Sequence, residues 1–189
     1  MNKLHLFMAL VGCRPIGRNT EQHDVFFGIG NEIKDIIPDL FNFWPEAKKK
    51  IHLDAWRKVE FVDNFKIEII IKEQYLNAGD NKAAKLFFIN LGGYKPGEFE
   101  EFHYKIIIAA LDKNSAIKKA KQTAFFTHNG FKNAPTHIDD KYGVDIDDIY
   151  DIKDILPLSF KEKYTIKLTD NLCAEQDAIH LGYMKLDTL

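Results

Sequence analysis

Cysteine is scarce in this chain, and its scarcity excludes several kinds of site. Among 189 residues there are two cysteines, Cys13 and Cys173, and their spacing fits no zinc-binding or redox motif. Cys13 stands in a Gly/Pro segment that occurs twice in the chain, and Tyr94 takes its place in the second occurrence. A cysteine nucleophile common to both segments is therefore excluded, whereas one that acts at a single site is not.

A surplus of positive charge is also missing. The net charge is −2 and the sequence pI is near 6.4. This balance argues against a nucleic-acid partner, because phosphate binding requires Lys and Arg in excess on one face. Hydrophobic residues make up 46% of the chain and aromatic residues 13%, which is typical of a folded globular protein.

Long apolar runs are absent as well. No segment approaches the roughly 18–20 apolar residues that a membrane span requires, so we expect no membrane partner. The opening stretch "MNKLHLFMALVGCRPIG" does not fit a signal peptide, because His5 interrupts its apolar run and a similar pattern recurs inside the chain at "AKLFFINLGGYKPG". These features predict a cytoplasmic protein.

Residues 10–30 and 91–111 share one order of features: an apolar strand, a Gly/Pro turn, Glu-x-His and a second apolar strand. At an offset of 80, Glu21 and His23 correspond to Glu101 and His103. Upstream we take the offset as 81, which pairs Gly12 with Gly93 and Arg14 with Lys95; downstream a His-x-Asp follows in each half, His52/Asp54 and His137/Asp139. This agreement predicts an internal duplication.

The predicted fold is α+β, with two pseudo-equivalent β-β-α-β halves and a mixed or antiparallel sheet that carries its helices on one face. Short apolar runs ending in glycine indicate the strands, and apolar residues at helical spacing indicate the helices. We expect one compact globular unit. Its parts are a first half at 1–76, a connector at 77–84 and a second half at 85–189, with further strands at 65–73, 163–170 and 179–186.

Three of these motifs resemble a bacterial family of unknown function, DUF1543. They are the Gly-x-(Arg/Lys)-Pro loop, the Glu-x-His that opens the second strand, and the segment "IHLDAW" at residues 51–56. The resemblance implies two tandem copies of the family's unit, although "THIDDK" in the second copy lacks the Ala-Trp of the first. It implies no activity, so function has to be argued from the residues.

The duplicated polar residues form the main candidate site. In a strand, residues two apart face the same side, so Glu21 points with His23, and Glu101 with His103. If the later His-x-Asp segments fold back, each half gathers two imidazoles and two carboxylates. Such a set could bind a divalent metal ion or act as an acid/base pair. The candidate residues are Glu21, His23, His52 and Asp54 in the first half, and Glu101, His103, His137 and Asp139 in the second.

Other interpretations stay open at this point. The same residues could form a network that only stabilises the fold, in a structural or protein-interaction module. The Gly/Pro loops could bind an anion through Gly12, Arg14, Gly93 and Lys95. The acidic run at 145–154 lacks the glycine of an EF-hand and is interpreted as a solvated face. The leading hypothesis is a protein that binds or acts on a small molecule; the sequence indicates no substrate, reaction or oligomeric state.

Overall fold

Strands dominate the molecule, as the short apolar runs predict. The computed structural model describes residues 3–47, 50–73, 84–94, 97–122, 145–171 and 175–186. The chain folds as two compact units, the first formed by Met1–Gly79 together with Ile155–Leu189 and the second by Asp80–Asp154. None of the helices in the described ranges combines the length and hydrophobicity that a membrane crossing needs.

All strand pairs recorded in these ranges are antiparallel. The strands are β1 (His5–Cys13), β2 (Gln22–Gly30), β3 (His52–Val59), β4 (Phe61–Val62), β5 (Phe65–Ile71), β6 (Lys85–Tyr94), β7 (Glu101–Ala110), β8 (Asp145–Asp151), β9 (Tyr164–Asp170) and β10 (Ile179–Lys185). The α-helices are α1 (Ile37–Phe43), α2 (Lys113–Ala120), α3 (Ile152–Ile155) and α4 (Leu158–Lys163).

The first unit contains a four-stranded sheet in the order β10-β3-β1-β2. Alternate residues of β1, such as Phe7 and Val11, point to one face and are fully buried there. A 3₁₀-helical turn at Ile33–Ile36 and α1 cover this face, and α1 tolerates Pro38 because the ring lies in its first turn. The opposite face of β1 carries the even-numbered residues, including Gly12.

The C-terminal strands complete this unit, which corrects the predicted division of the chain. Strand β10 pairs with β3 at the sheet edge, and β9 pairs along the whole of β5 in a second sheet of order β4-β5-β9. Strands were correctly predicted within 65–73, 163–170 and 179–186. The strand at 65–73 lies in the first unit as predicted, whereas those at 163–170 and 179–186 were assigned to the second half and lie in the first unit instead. Periodicity identifies a strand without identifying the edge that satisfies its backbone hydrogen bonds.

The second unit is built on a three-stranded sheet of order β7-β6-β8, with α2 packed on one face. Buried Phe87, Ile89 and Leu91 of β6 meet Ala116 and Ala120 of α2 in its core. Strand β8 comes from the acidic run that the sequence analysis interprets as a solvated face, and Asp147 is indeed exposed there, although the run forms a strand. Its residues Ile146 and Ile149 pack against the core, which explains why so acidic a segment forms a strand.

Strand register also corrects the upstream alignment. Gly12 lies opposite His23, and Gly92 lies opposite His103, so the offset is 80 at both pairs (92 − 12 and 103 − 23). Gly92, not Gly93, therefore corresponds to Gly12. No shift to 81 is needed, and Tyr94 corresponds to Arg14 instead of Cys13. The internal duplication itself stays a prediction.

A pH dependence follows from His5 at the start of β1. Burial lowers the pKa of His5, the charge of Lys58 lowers it further, and Glu60, whose Oε1 lies 3.3 Å from His5 Nδ1, partly opposes this. Below about pH 6.5 the unfolded chain then binds more protons at this site than the folded protein does, so stability falls as pH falls.

We expect the wild type to lose more stability than His5→Gln between about pH 7.5 and about pH 5.5, because the variant cannot titrate there. Urea unfolding at a series of pH values measures the difference between the two proteins. A difference that stays constant, or that moves in favour of the wild type on acidification, would contradict a lowered pKa of His5.

Candidate metal centre

Three neighbouring strands bring the first set of predicted residues to one point of the sheet. Gly12 of β1 lies between His23 of β2 and His52 of β3, so both imidazoles flank the same backbone position. Between Leu10 and Val11 the β1–β3 register shifts, and Asp54 is the extra residue at this bulge. Bulges re-aim side chains, and here Asp54 reaches the face that carries the histidines.

The four side chains meet through their polar atoms. His23 Nε2 lies 3.2 Å from Asp54 Oδ2 and 3.8 Å from Glu21 Oε2. His52 Nε2 lies 3.1 Å from Glu21 Oε1 and 3.4 Å from Asp54 Oδ1. Each carboxylate thus contacts both imidazoles through different oxygens. We refer to Glu21, His23, His52 and Asp54 as the first cluster.

Only glycine fits at position 12, where the backbone of β1 lies against the side chains of the first cluster. A Cβ atom built on Gly12 would lie 2.5 Å from His52 Nε2 and 2.6 Å from Asp54 Oδ2, closer than real Cβ contacts allow. Any side chain at this position would displace the two donors. The hydrogen atom of Gly12 is therefore part of the shape of the cluster.

Although the side chains of the first cluster lie close together, two of their buried polar atoms form no hydrogen bond. The side chain of His52 is 8% exposed, and its Nε2 and Asp54 Oδ2 are buried without a hydrogen-bond partner in the described ranges. Buried polar atoms are nearly always hydrogen-bonded, since leaving one without a partner costs about 1–3 kcal/mol. The ring of Tyr183 from β10 lies against His52, with centroids 4.4 Å apart, and covers this side of the cluster.

Two kinds of chemistry fit this geometry. Ligand atoms bound about 2.1 Å from one ion lie about 3.0–3.4 Å from each other, which is close to the spacings in the first cluster. The alternative is proton transfer, in which a carboxylate orients an imidazole that acts as general base. The side chains of Glu21 and His23 are 45% and 41% exposed, so a small molecule can reach the cluster from solvent.

In the second unit the structure brings together Glu101, His103 and a residue that the sequence analysis missed, Asp147. One ligand atom from each lies within 4.8 Å of the others, and His103 Nε2 is 3.2 Å from Asp147 Oδ2. We refer to these three residues as the second cluster. The predicted partners His137 and Asp139 lie outside the described residues.

Asp147 occupies the position on β8 that Asp54 occupies on β3, whereas Asp139, which the sequence pairs with Asp54, lies outside the described residues. The β6–β8 register shifts between Asn90 and Leu91, and Asp147 is the extra residue at that bulge, as Asp54 is on β3. The sequence signal was an aspartate preceded by an apolar residue in "DIDD", as in "HLDA". The assumption that both halves have similar spacing does not hold for Asp147. His103 and Asp147 are 44 residues apart (147 − 103), whereas His23 and Asp54 are 31 apart (54 − 23).

The remaining candidates do not form a site with these clusters in the way that the sequence suggested. Gly12 and Gly93 lie inside strands β1 and β6, so they do not supply the loop amides on which anion binding depended. Arg14 is exposed, and Lys95 lies outside the described residues. Burial raises the pKa of the Cys13 thiol, and the charge of Glu21 raises it further, which disfavours the thiolate that a nucleophile needs.

In comparisons with known proteins, a family model matches part of the chain, and a solved structure has a similar fold over most of it. The family described as Domain of Unknown Function (DUF1543) matches residues 18–69. This is one copy, where the sequence resemblance implied two, and it contains all four residues of the first cluster. A second copy stays a prediction.

The overall fold resembles the crystal structure of a protein designated Il1583 from Idiomarina loihiensis. The TM-score is 0.59 at 20% sequence identity, and 97% of each chain is covered. At this identity the similarity concerns the fold alone. No curated protein matches the chain.

Proposed function

We propose that this protein binds a divalent transition-metal ion at the first cluster and presents it to a small molecule. The proposal rests on two buried atoms, His52 Nε2 and Asp54 Oδ2. Both lie close to other potential metal ligands, and neither forms a hydrogen bond. A cation at this point would satisfy the lone pairs that converge there. A network held together only by hydrogen bonds leaves these two atoms unexplained.

The donor types narrow the choice of metal. Two imidazoles and two carboxylates suit Zn²⁺ and similar divalent first-row ions. Ca²⁺ and Mg²⁺ prefer oxygen ligands throughout, and Cu(I) prefers thiolates or thioethers. Because Glu21 and His23 face solvent while His52 is buried, the exposed side of the ion is where water or a small ligand would bind.

The proposal also gives a reason for two similar sheets in one chain. In each unit a central strand carries glycine opposite a histidine, and a bulged aspartate arrives from the third strand. An internal duplication that copied a metal-binding unit would leave this pattern, and the shared offset of 80 supports it. The two units differ, because the position on β8 that corresponds to His52 on β3 is occupied by Asp145.

Zn²⁺ binding by the full-length chain tests the proposal. After removal of bound metal with a chelator, calorimetric titration with Zn²⁺ is expected to show binding that weakens at least about tenfold in His52→Gln. At a hundredfold excess over Kd, Zn²⁺ should stabilise the wild type by about 2.7 kcal/mol. His180→Gln is the matched control, because His180 is an exposed histidine of β10 that stacks on Trp56 outside the cluster.

The rival reading is a cluster that only stabilises the fold. It predicts that His23→Ala and His52→Ala each lose about 1–3 kcal/mol of stability in the metal-free protein, because the Glu21 and Asp54 carboxylates lose an imidazole that they contact. The metal proposal predicts metal-free variants close to the wild type, since functional groups are often held at some cost to stability. Large losses in both variants, together with no effect of Zn²⁺ on the melting temperature, would favour the structural module.

A further inference from the structure

The second cluster has the composition of a metal site with fewer protein ligands. Glu101 and His103 project from the start of β7, and Asp147 joins them from β8. These residues offer one imidazole and two carboxylates, with their donor atoms within 4.8 Å of each other. Nitrogen and oxygen donors in this number are typical of catalytic sites, where three protein ligands leave a position for water or substrate.

Glycine again makes room for the donors. A Cβ atom built on Gly92 would collide with the carboxylate of Asp147, and the nearest contact involves Oδ2. This oxygen is also the one that lies 3.2 Å from His103 Nε2. The backbone of β6 thus fixes where the carboxylate can lie, as the backbone of β1 does in the first unit.

Tyr94 supplies an orienting contact at the edge of the second cluster. It lies directly opposite Glu101 in the hairpin, and its hydroxyl donates a hydrogen bond to the Glu101 carboxylate. Metal-ligating carboxylates are commonly held in this way by a second residue. The equivalent position in the first unit is Arg14, so the two clusters differ in how their glutamates are held.

The geometry points to a second metal site formed by Glu101, His103 and Asp147, more open than the first and able to bind a small ligand directly on the ion. This inference rests on the proposed function for the choice of metal, but on separate residues. His103 and Asp147 are 38% and 31% exposed, and the second cluster has no counterpart of His52, the 8% exposed imidazole that closes the buried side of the first cluster. The position on β8 that corresponds to His52 is Asp145, so β8 contributes no second imidazole to this cluster.

Calorimetric titration of the metal-free, full-length chain with Zn²⁺ separates the two sites. We expect two classes of binding, of which the weaker is reduced at least about tenfold by Asp147→Asn and by His103→Gln. His52→Gln should leave this class unchanged. Glu100→Gln is the matched control, because this exposed residue directly precedes Glu101 and lies outside the cluster.

Each result decides between the inferences. A single class that responds only to His52→Gln would overturn the second site and leave the proposed function standing. A single class that responds only to His103→Gln and Asp147→Asn would support the second site and overturn the first. A weak class that persists in both second-cluster variants would show adventitious binding elsewhere and would overturn this inference. Melting temperatures of the metal-free variants close to that of the wild type exclude loss of folding as the cause.

Discussion

Gly12→Ala is expected to weaken Zn²⁺ binding at the first cluster strongly while the protein still folds. The new Cβ would lie 2.5 Å from His52 Nε2 and 2.6 Å from Asp54 Oδ2, so both donors must move. They are the ends of side chains, which can rotate away, and the stability loss should stay at about 1–3 kcal/mol, the usual cost of overpacking. Rotation misplaces two of the four donors, and the affinity for Zn²⁺ should fall by at least about tenfold.

A double-mutant cycle identifies the clash as the cause. In the background of His52→Ala, the nearest atom to the new Cβ is gone, and Gly12→Ala should cost less stability than it does in the wild type. Gly92→Ala is the matched variant in the second unit, where the obstacle is the Asp147 carboxylate. If Gly12→Ala left Zn²⁺ affinity unchanged, the donors would not need their present positions, and the first cluster would not be the site.

How far the first cluster could be predicted depends on what fixes each side chain. Alternation at the start of β2 makes Glu21, which directly precedes the strand, face the same side as His23 whatever the rest of the fold does, and the sequence is sufficient for that. His52 and Asp54 join these residues only if β3 pairs with β1 in one particular register. The similar order of motifs in both halves was the only sign of that pairing, and in the first unit the residues that it indicated do lie together.

The second cluster shows why such a sign fails. Its connection from His103 to the bulged aspartate is 13 residues longer than the first (44 − 31), and "THIDDK" offers a His-x-Asp that fits the expected spacing better. In the described residues it is Asp147 of "DIDD" that lies beside His103, on a strand whose Ile146 and Ile149 pack against the core of the unit. Apolar burial on either side of Asp147 fixes the strand that brings this aspartate to His103, and a motif built only from polar residues does not contain that information.

The C-terminal strands illustrate a second limit. Their apolar alternation predicts that they exist, and they do. Their partners, β3 and β5, lie more than a hundred residues earlier for β10 and about that far for β9, and pairing at this separation leaves no local mark on the sequence. One polar residue, Asp177, lies just before β10 and contacts the chain near β3 and β4.

Asp177→Ala is expected to be strongly destabilising, by about 3–5 kcal/mol. The side chain of Asp177 is 1% exposed. Its Oδ1 accepts hydrogen bonds from the backbone N–H groups of Glu60 at 2.9 Å and Phe61 at 3.0 Å, and its Oδ2 lies 3.7 Å from Arg57 Nη1. Truncation leaves two backbone donors without their acceptor and removes the carboxylate that lies beside Arg57, and it releases the segment that leads into β10. Urea unfolding measures the loss, with Glu175→Ala, an exposed residue of the same segment, as a control within about 0.5 kcal/mol of wild type.

Asp177→Asn should retain most of the stability that Asp177→Ala loses. Burial raises the pKa of Asp177 above its ordinary value, although the hydrogen bonds from Glu60 and Phe61 and the charge of Arg57 oppose this. A raised pKa means that the folded protein binds more protons here than the unfolded chain, so this carboxyl stabilises the fold most at low pH and less as pH rises through its folded pKa. The neutral amide keeps the acceptor oxygen and avoids the cost of a buried charge. On acidification from about pH 7 to about pH 4 the wild type should therefore gain stability relative to Asp177→Asn. If the asparagine variant were as unstable as the alanine variant at neutral pH, the negative charge would be what holds the segment in place, and a raised pKa would be untenable.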